Sequence, residues 1–215
     1  MIEKCYNIGM IKRRCKITFI RHGATIYTEA DRLSDKDNYP PLNEAGREEM
    51  ETISLWIKKR GLMVDKIFCS PETRVTQSAG ILSKICKLDF EVIPELTAKK
   101  SGTWSGLSFE QIEEKYPKEL EAYHNDRGNF VMPNGESINQ FNERTNEVIE
   151  RIVKENDSSR IILVTHGEVI QSAVAKILHV PEGYQTRIII PTGSATQISY
   201  FKGWSVLVYS GIIDY

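Results

Sequence analysis

The run Arg160-Ile161-Ile162-Leu163-Val164-Thr165 constrains the fold more than any other segment. Apolar residues in unbroken succession cannot alternate between core and water, so this strand is buried on both faces, as in a central parallel strand with helices above and below. Ligands of open α/β sheets gather beyond the carboxyl ends of such strands. Thr165 runs directly into His166-Gly167-Glu168 and then a helix carrying Val169, Ile170, Ala173, Val174, Ile177 and Leu178. Near the start of the chain, Lys16-Ile17-Thr18-Phe19-Ile20 leads in the same way into Arg21-His22-Gly23. A lone histidine at a strand end is usually structural; two His-Gly pairs after two apolar strands form a constellation that chance rarely supplies.

The remaining elements fit the same scheme. Asn43 can cap a helix whose apolar stripe includes Met50, Ile53, Trp56 and Ile57 before Gly61 ends it. Val64 to Cys69 reads as a strand that ends in Ser70-Pro71-Glu72-Thr73-Arg74 and a helix through Cys86. Arg74 falls in the first turn of that helix, where the macrodipole disfavours a cation unless an anion lies beside it. Phe90 to Ile93 is a short strand, the stretches Ser108–Lys115 and Pro117–Asn125 are amphipathic helices, and Pro133 to Ser137 turns into a long helix ending near Asn156. Ala195–Phe201 and Ser205–Tyr209 form a closing antiparallel hairpin. The polar stretch Tyr27 to Pro41 is long for a loop and comes directly after Arg21-His22-Gly23.

At 215 residues the chain has room for one core with a small cap, and its formal charge of -1 gives no field for gripping nucleic acid or an anionic membrane. The basic run Lys12-Arg13-Arg14 reads as a solvated edge ahead of the first strand, within a loose extension over residues 1–14. Cys5, Cys15, Cys69 and Cys86 show no CxxC pairing, which suits free thiols in a reducing compartment. Neither a signal segment nor a membrane-length apolar run is present, so a cytoplasmic protein is expected. The expected fold is a three-layer α/β/α sandwich with a mostly parallel central sheet, an antiparallel edge strand and a helical cap inserted at about 99–135, the whole of 1–215 forming a single domain.

Two arginines and two histidines at strand ends make a dense cationic pocket, and arginine's planar fork suits a tetrahedral oxyanion such as phosphate. An imidazole can accept a phosphoryl group and yield it to water. His22 beside Arg21 is the candidate nucleophile, protonated His166 would stabilise the transferring oxygens, and Gly23 and Gly167 would let backbone approach the anion. Arg21-His22-Gly23, Ser70-Pro71-x-x-Arg74 with Gln77 and Ala79, Gly135-Glu136-Ser137 and Thr165-His166-Gly167, in that order, resemble the histidine phosphatase superfamily, in its phosphoglycerate-mutase-like branch. The resemblance runs from about Ile17 to the final strands. It implies His22 as the phosphorylated nucleophile and Arg21, Arg74 and His166 as phosphate ligands, with no metal and no cofactor.

The chain departs from that family at four places. Ala24 stands where a glutamate usually comes after the Arg-His-Gly triplet, Thr28 where an asparagine is common, and Ser105 where Gly102-Thr103-Trp104-Ser105-Gly106 usually carries a glutamate. The Thr28 hydroxyl is an expected substrate contact. Ala98 stands where the family places its general acid, and losing such an acid typically costs about 100-fold to 10,000-fold. Three explanations stay open: a substitution introduced to trap a ligand, a slow or non-catalytic natural protein, or another carboxylate in the role. For the last, Glu168 resembles the His-Ala-Glu arrangement of the phytase-like branch, while Glu95 is nearer in sequence.

The expected activity is hydrolysis of a small soluble phosphorylated metabolite, with neither nucleic acid nor membrane as partner. The alternatives are a phosphoglycerate mutase and a catalytically weak phosphate-binding or regulatory homologue. Substrate contacts would come from the loop after Thr28, from Asn134 to Ser137, and from the cap, where Tyr123, His124, Asn125 and Arg127 are available. The sequence leaves the oligomeric state open.

Overall fold

The structure, a computed structural model, describes residues 13–33 and 40–213. The elements run β1 (Arg13–Arg21), α1 (Ile26–Glu29), α2 (Glu44–Lys59), β2 (Lys66–Cys69), α3 (Thr73–Cys86), β3 (Phe90–Val92), α4 (Phe109–Lys115) and α5 (Pro117–Asn125). Then come α6 (Ile138–Glu155), β4 (Ser159–Thr165), α7 (Gly167–Leu178), β5 (Ala195–Phe201) and β6 (Ser205–Ile212). The strands form one sheet in the order β3-β2-β4-β1-β5-β6. β1, β4, β2 and β3 are mutually parallel, whereas β5 is antiparallel to β1 and β6 to β5.

Alternation along the central strands builds two cores. Ile17, Phe19, Ile161 and Leu163 face α6 and α7, meeting Phe141, Val148, Ile149, Val169 and Ile170. Ile20, Ile162 and Val164 face the other way, onto Met50, Ile53 and Trp56 of α2 and Val75, Ala79 and Leu82 of α3. Each such side chain contributes about 1.5–3 kcal/mol by leaving water. The segment between β3 and α6 has a core of its own in Trp104, Ile112, Leu120, Tyr123, Met132 and Ile138. Leu33 is bonded to that segment through its amide to the Leu107 carbonyl (2.9 Å), and Gly106 N returns a bond to the Leu33 carbonyl (3.1 Å).

One expectation about the N-terminus is corrected. β1 begins at Arg13, so Arg13 and Arg14 belong to the strand instead of to a loose extension. The reason is the antiparallel partner: β5 continues to Phe201 and pairs with Arg13 after a register shift between Arg13 and Cys15. Residues 1–12, with Cys5, Met10 and Lys12, lie outside the described residues, as do 34–39 of the Tyr27–Pro41 stretch. Cys15, Cys69 and Cys86 are free thiols, the first two buried. No described helix is long and apolar enough to cross a membrane.

Gly23 and Gly46 hold β1 against α2. A Cβ on Gly23 would lie 2.1 Å from the Gly46 carbonyl oxygen, and one on Gly46 would lie 2.1 Å from the Ala24 carbonyl oxygen. Backbone cannot yield as a flexible side chain does, so both positions need hydrogen there. Gly46→Ala should therefore cost about 1–3 kcal/mol, read as a lower urea midpoint. An unchanged midpoint would show that α2 can shift away freely.

Candidate active site

Parallel pairing of β1 with β4 places Arg21 opposite Thr165, so the next residue on each strand, His22 and His166, emerge side by side. Their rings meet edge to face with centroids 5.4 Å apart, both buried. The strand ends are fixed by backbone and hydroxyl contacts. His22 N donates to the Thr165 carbonyl (2.9 Å), Ser70 N to the Val164 carbonyl (3.1 Å), and the Ser70 and Thr165 hydroxyls bond to one another at 2.8 Å.

Arg74 reaches from the first turn of α3 and is itself buried. Its Nε donates to His22 Nε2 at 3.1 Å and its Nη2 lies 3.1 Å from His166 Nδ1. A guanidinium only donates, so both of those ring nitrogens carry lone pairs. His22 must then hold its proton on Nδ1, which donates to the Gly23 carbonyl at 2.8 Å. By the same logic the His166 proton sits on Nε2, donated to Glu72 Oε2 at 2.8 Å.

Electrostatics agree with these tautomers. Burial, then the charges of Arg74, His166 and Arg21, push His22 well below its ordinary value of 6.5, so its imidazole is neutral at pH 7. Burial also lowers His166, against the opposing pull of Glu72. Burial alone would raise the Glu72 carboxyl; its coupling to His166, including the hydrogen bond from Nε2, and the Ala98 amide outweigh burial and hold the carboxyl below its ordinary range.

Arg21 is half-buried at the end of β1 and donates through Nη1 to the Ile190 carbonyl (2.6 Å). Its Nε is buried without a hydrogen-bond partner among the described residues. Gly167 makes room for it, since a Cβ there would lie 3.3 Å from Arg21 Nε. Thus the two glycines serve close packing, Gly23 against α2 and Gly167 against Arg21. Thr28 is also engaged locally: its hydroxyl accepts from Thr25 N (2.8 Å) and donates to the Thr25 carbonyl (3.0 Å) in the capping box of α1.

Two of the departures share a solution. The Ala24 amide donates to Glu49 Oε2 of α2 at 2.8 Å, and the Ala98 amide donates to Glu72 Oε1 at 2.9 Å. At each alanine a carboxylate comes in from another element. Glu49 also accepts from the Thr192 hydroxyl (2.9 Å) and acts electrostatically on Arg21. The other carboxylates near the vacancy differ in placement. Glu95 is exposed and paired with Arg151 at 2.7 Å, pointing away. Glu136 accepts from Arg144 at 2.7 Å and from the Lys100 amide at 2.8 Å. Arg144 also donates to the Glu95, Thr97 and Ala98 carbonyls at 3.0–3.1 Å, bracing the segment that carries position 98.

Glu168 lines a cavity of about 130 Å³ with Lys99, Trp104, Phe109, Tyr123 and Phe141. Its carboxyl is lowered: burial raises it, but His166, its own amide, Arg21 and Arg74 together prevail. Of the cap side chains singled out from sequence, Tyr123 joins this cavity, whereas His124, Asn125 and Arg127 line a separate pocket with Glu182 and Arg187. No cluster of three or more His, Cys, Asp or Glu side chains arranged to hold a metal ion occurs among the described residues.

Two arginines, Arg21 and Arg74, and the paired imidazoles of His22 and His166 gather at the ends of the parallel strands, a donor set chemically suited to a tetrahedral oxyanion. The chain belongs to the histidine phosphatase superfamily, branch 1, which it matches over residues 17–211. It is 27% identical over 164 residues to the metal-independent phosphoserine phosphatase of Arabidopsis thaliana, a match covering 75% of this chain and 68% of that protein. It is 25% identical over 201 residues to phosphoglycerate mutase-like protein 4 of the same plant, covering 92% and 85%. The alpha-ribazole phosphatase from Shigella flexneri superposes with a TM-score of 0.81 at 21% identity, over 92% of this chain and 96% of that one, a likeness of fold.

The neutral His22 makes a pH prediction. Its folded value lies below 6.5, so an unfolded chain binds the extra proton first and stability falls as pH drops through that value. Without phosphate, wild type should lose about 1 kcal/mol of unfolding free energy between pH 6.5 and 5.5 through His22, and His22→Ala should lose correspondingly less. Equal losses in urea titrations of the two would contradict a neutral buried His22.

Proposed function

We propose that the protein is a phosphomonoesterase that hydrolyses a small phosphorylated metabolite through a phosphohistidine at His22. One observation supports this above the rest: Arg74 faces the lone pair of His22 Nε2, so the atom that must attack phosphorus is the one directed into the cationic cluster. A phosphate bound by Arg21, Arg74 and His166 would replace that Arg–His contact, and the Nε2 lone pair would then form the N–P bond while the P–O bond to the alcohol breaks. Water would take the phosphoryl group in a second step. The Nδ1–H bond to the Gly23 carbonyl holds the ring for both.

The cavity beside Glu168 favours hydrolysis over a mutase reaction. A second phosphate needs cations, and Lys99 is the one cation among the cavity's described lining residues. That ammonium is lowered by burial, with Glu168 and Glu136 opposing, so those carboxylates already hold its charge. The aromatic lining suits an apolar or aromatic alcohol portion better than a phosphoglycerate. In this reading residues 99–135 act as a cap over the site.

The test uses p-nitrophenyl phosphate and a panel of small phosphate monoesters. Wild type should release inorganic phosphate without priming by 2,3-bisphosphoglycerate, and acid-labile, alkali-stable phosphoryl should be trapped on His22. His22→Ala should lose about a thousand-fold or more. A silent wild type across the panel, or an unimpaired His22→Ala, would overturn the reading.

A further inference from the structure

We propose that the Glu72–His166 pair provides the leaving-group proton in place of a carboxylate at position 98. This inference rests on the phosphomonoesterase reading above. Glu72 is the N-cap residue of α3, yet its side chain makes no capping bond. The carboxylate turns into the site, and it is 3% exposed. One oxygen accepts from the Ala98 amide at 2.9 Å and the other from His166 Nε2 at 2.8 Å. A carboxylate therefore stands at the vacant acid position, delivered by α3 instead of by residue 98, and it is coupled to the second histidine of the phosphate cluster.

The resting pair shares one proton, held on His166 Nε2, and leaves His166 Nδ1 as a lone pair facing Arg74. In that state it cannot donate. Bringing a phosphate dianion among Arg21, Arg74 and the two histidines adds negative charge beside His166, and the Glu72 carboxylate stabilises the resulting imidazolium from its far side. The pair then takes up one proton, on Nδ1. As the His22 Nε2–P bond forms and the P–O bond breaks, the departing oxygen keeps the bonding electrons and takes the Nδ1 proton, returning His166 to the neutral form that Glu72 holds. In the second step His166 Nδ1 accepts a proton from the attacking water.

The other charged or titratable groups facing the pair are Arg74 from α3, His22 just beyond β1, Glu168 from α7 and Cys69 from β2, with Arg21 acting on His22 and Glu168 behind them. The Cys69 thiol is pushed up to about 12, by burial and then by Glu72, and stays neutral. Glu168 is the rival donor, since it lines the cavity that would receive the alcohol. Glu72 acts through His166 and is thus a positioning residue, whereas Glu168 would act on substrate directly.

The experiment compares p-nitrobenzyl phosphate with p-nitrophenyl phosphate. The two are alike in shape, but the first leaves as a basic alkoxide that needs a proton and the second as a stable phenoxide that does not. Glu72→Gln should lose about 100-fold to 10,000-fold in kcat on the benzyl ester, with a loss at least about tenfold smaller on the phenyl ester. Adding Ala98→Glu to Glu72→Gln should recover the benzyl ester activity. Equal losses on both esters, or a leaving-group-selective loss in Glu168→Gln and not in Glu72→Gln, would overturn the proposal. An inactive wild type on both esters would instead defeat the phosphomonoesterase reading itself.

A second measurement needs no folded Glu72 variant. Sulfate stays a dianion across neutral pH, and in His22→Ala the nucleophile cannot take up the proton. Sulfate binding to that chain should tighten about tenfold per pH unit from 7.5 to 6.5, as uptake of one proton requires. A pH-independent affinity would overturn the proposal.

Discussion

The Arg74 guanidinium, placed between two buried imidazoles, is the interaction on which the site depends. A permanent donor in that position dictates both tautomers: it claims Nε2 of His22 and Nδ1 of His166, and each ring must then give its own proton to a partner on its other side. The Gly23 carbonyl and the Glu72 carboxylate are those partners. Burial makes the arrangement consequential, because desolvation and the arginine charge together keep His22 uncharged. A cation that would be costly alone in the interior thus fixes the His22 Nε2 lone pair, and in the proposed phosphohistidine reaction it would exchange this histidine contact for a phosphate oxygen.

The sheet supplies this geometry with little adjustment. Adjacent parallel strands in register deliver His22 and His166 side by side, and the neighbouring strand end delivers α3 with Arg74 at its first turn. The close approach of Gly23 to Gly46 locks the loop after β1 against α2, which in turn carries Glu49 to the Ala24 amide. Carboxylates from α2 and from the N-cap of α3 therefore hold the backbone amides of the two alanines, Ala24 and Ala98. Arg144 fixes the segment of the second alanine through three carbonyls and Glu136, so position 98 is a rigid platform to which Glu72 can bind.

Much of this was legible in the sequence, because strand ends announce themselves locally. The apolar runs of β1, β2 and β4, each leading into a polar turn, place His22, Arg74 and His166 without tertiary information. The length of β1 was not legible, since Arg13 and Arg14 pair only because β5 extends beside them. Nor were the glycine roles: the spacing shows that a side chain is missing, not whether helix backbone, arginine or ligand fills the space. The sequence also does not show that the Thr28 hydroxyl is engaged locally, in the four-residue capping box Thr25 to Thr28. Glu72, Glu49 and Arg144 went unseen because each acts across a large sequence separation. Glu72 did leave one signal, a glutamate rather than a Ser, Thr, Asp or Asn at a helix start, two residues before Arg74.

The central claim, that Arg74 presets the tautomers of both histidines, is open to direct measurement by ¹⁵N nuclear magnetic resonance of the imidazoles in the ligand-free protein at pH 7. The account predicts that His22 carries its proton on Nδ1 with Nε2 unprotonated, that His166 shows the reverse, and that Arg74→Gln disturbs both rings together. A His22 ring protonated on Nε2, or on both nitrogens, would contradict it.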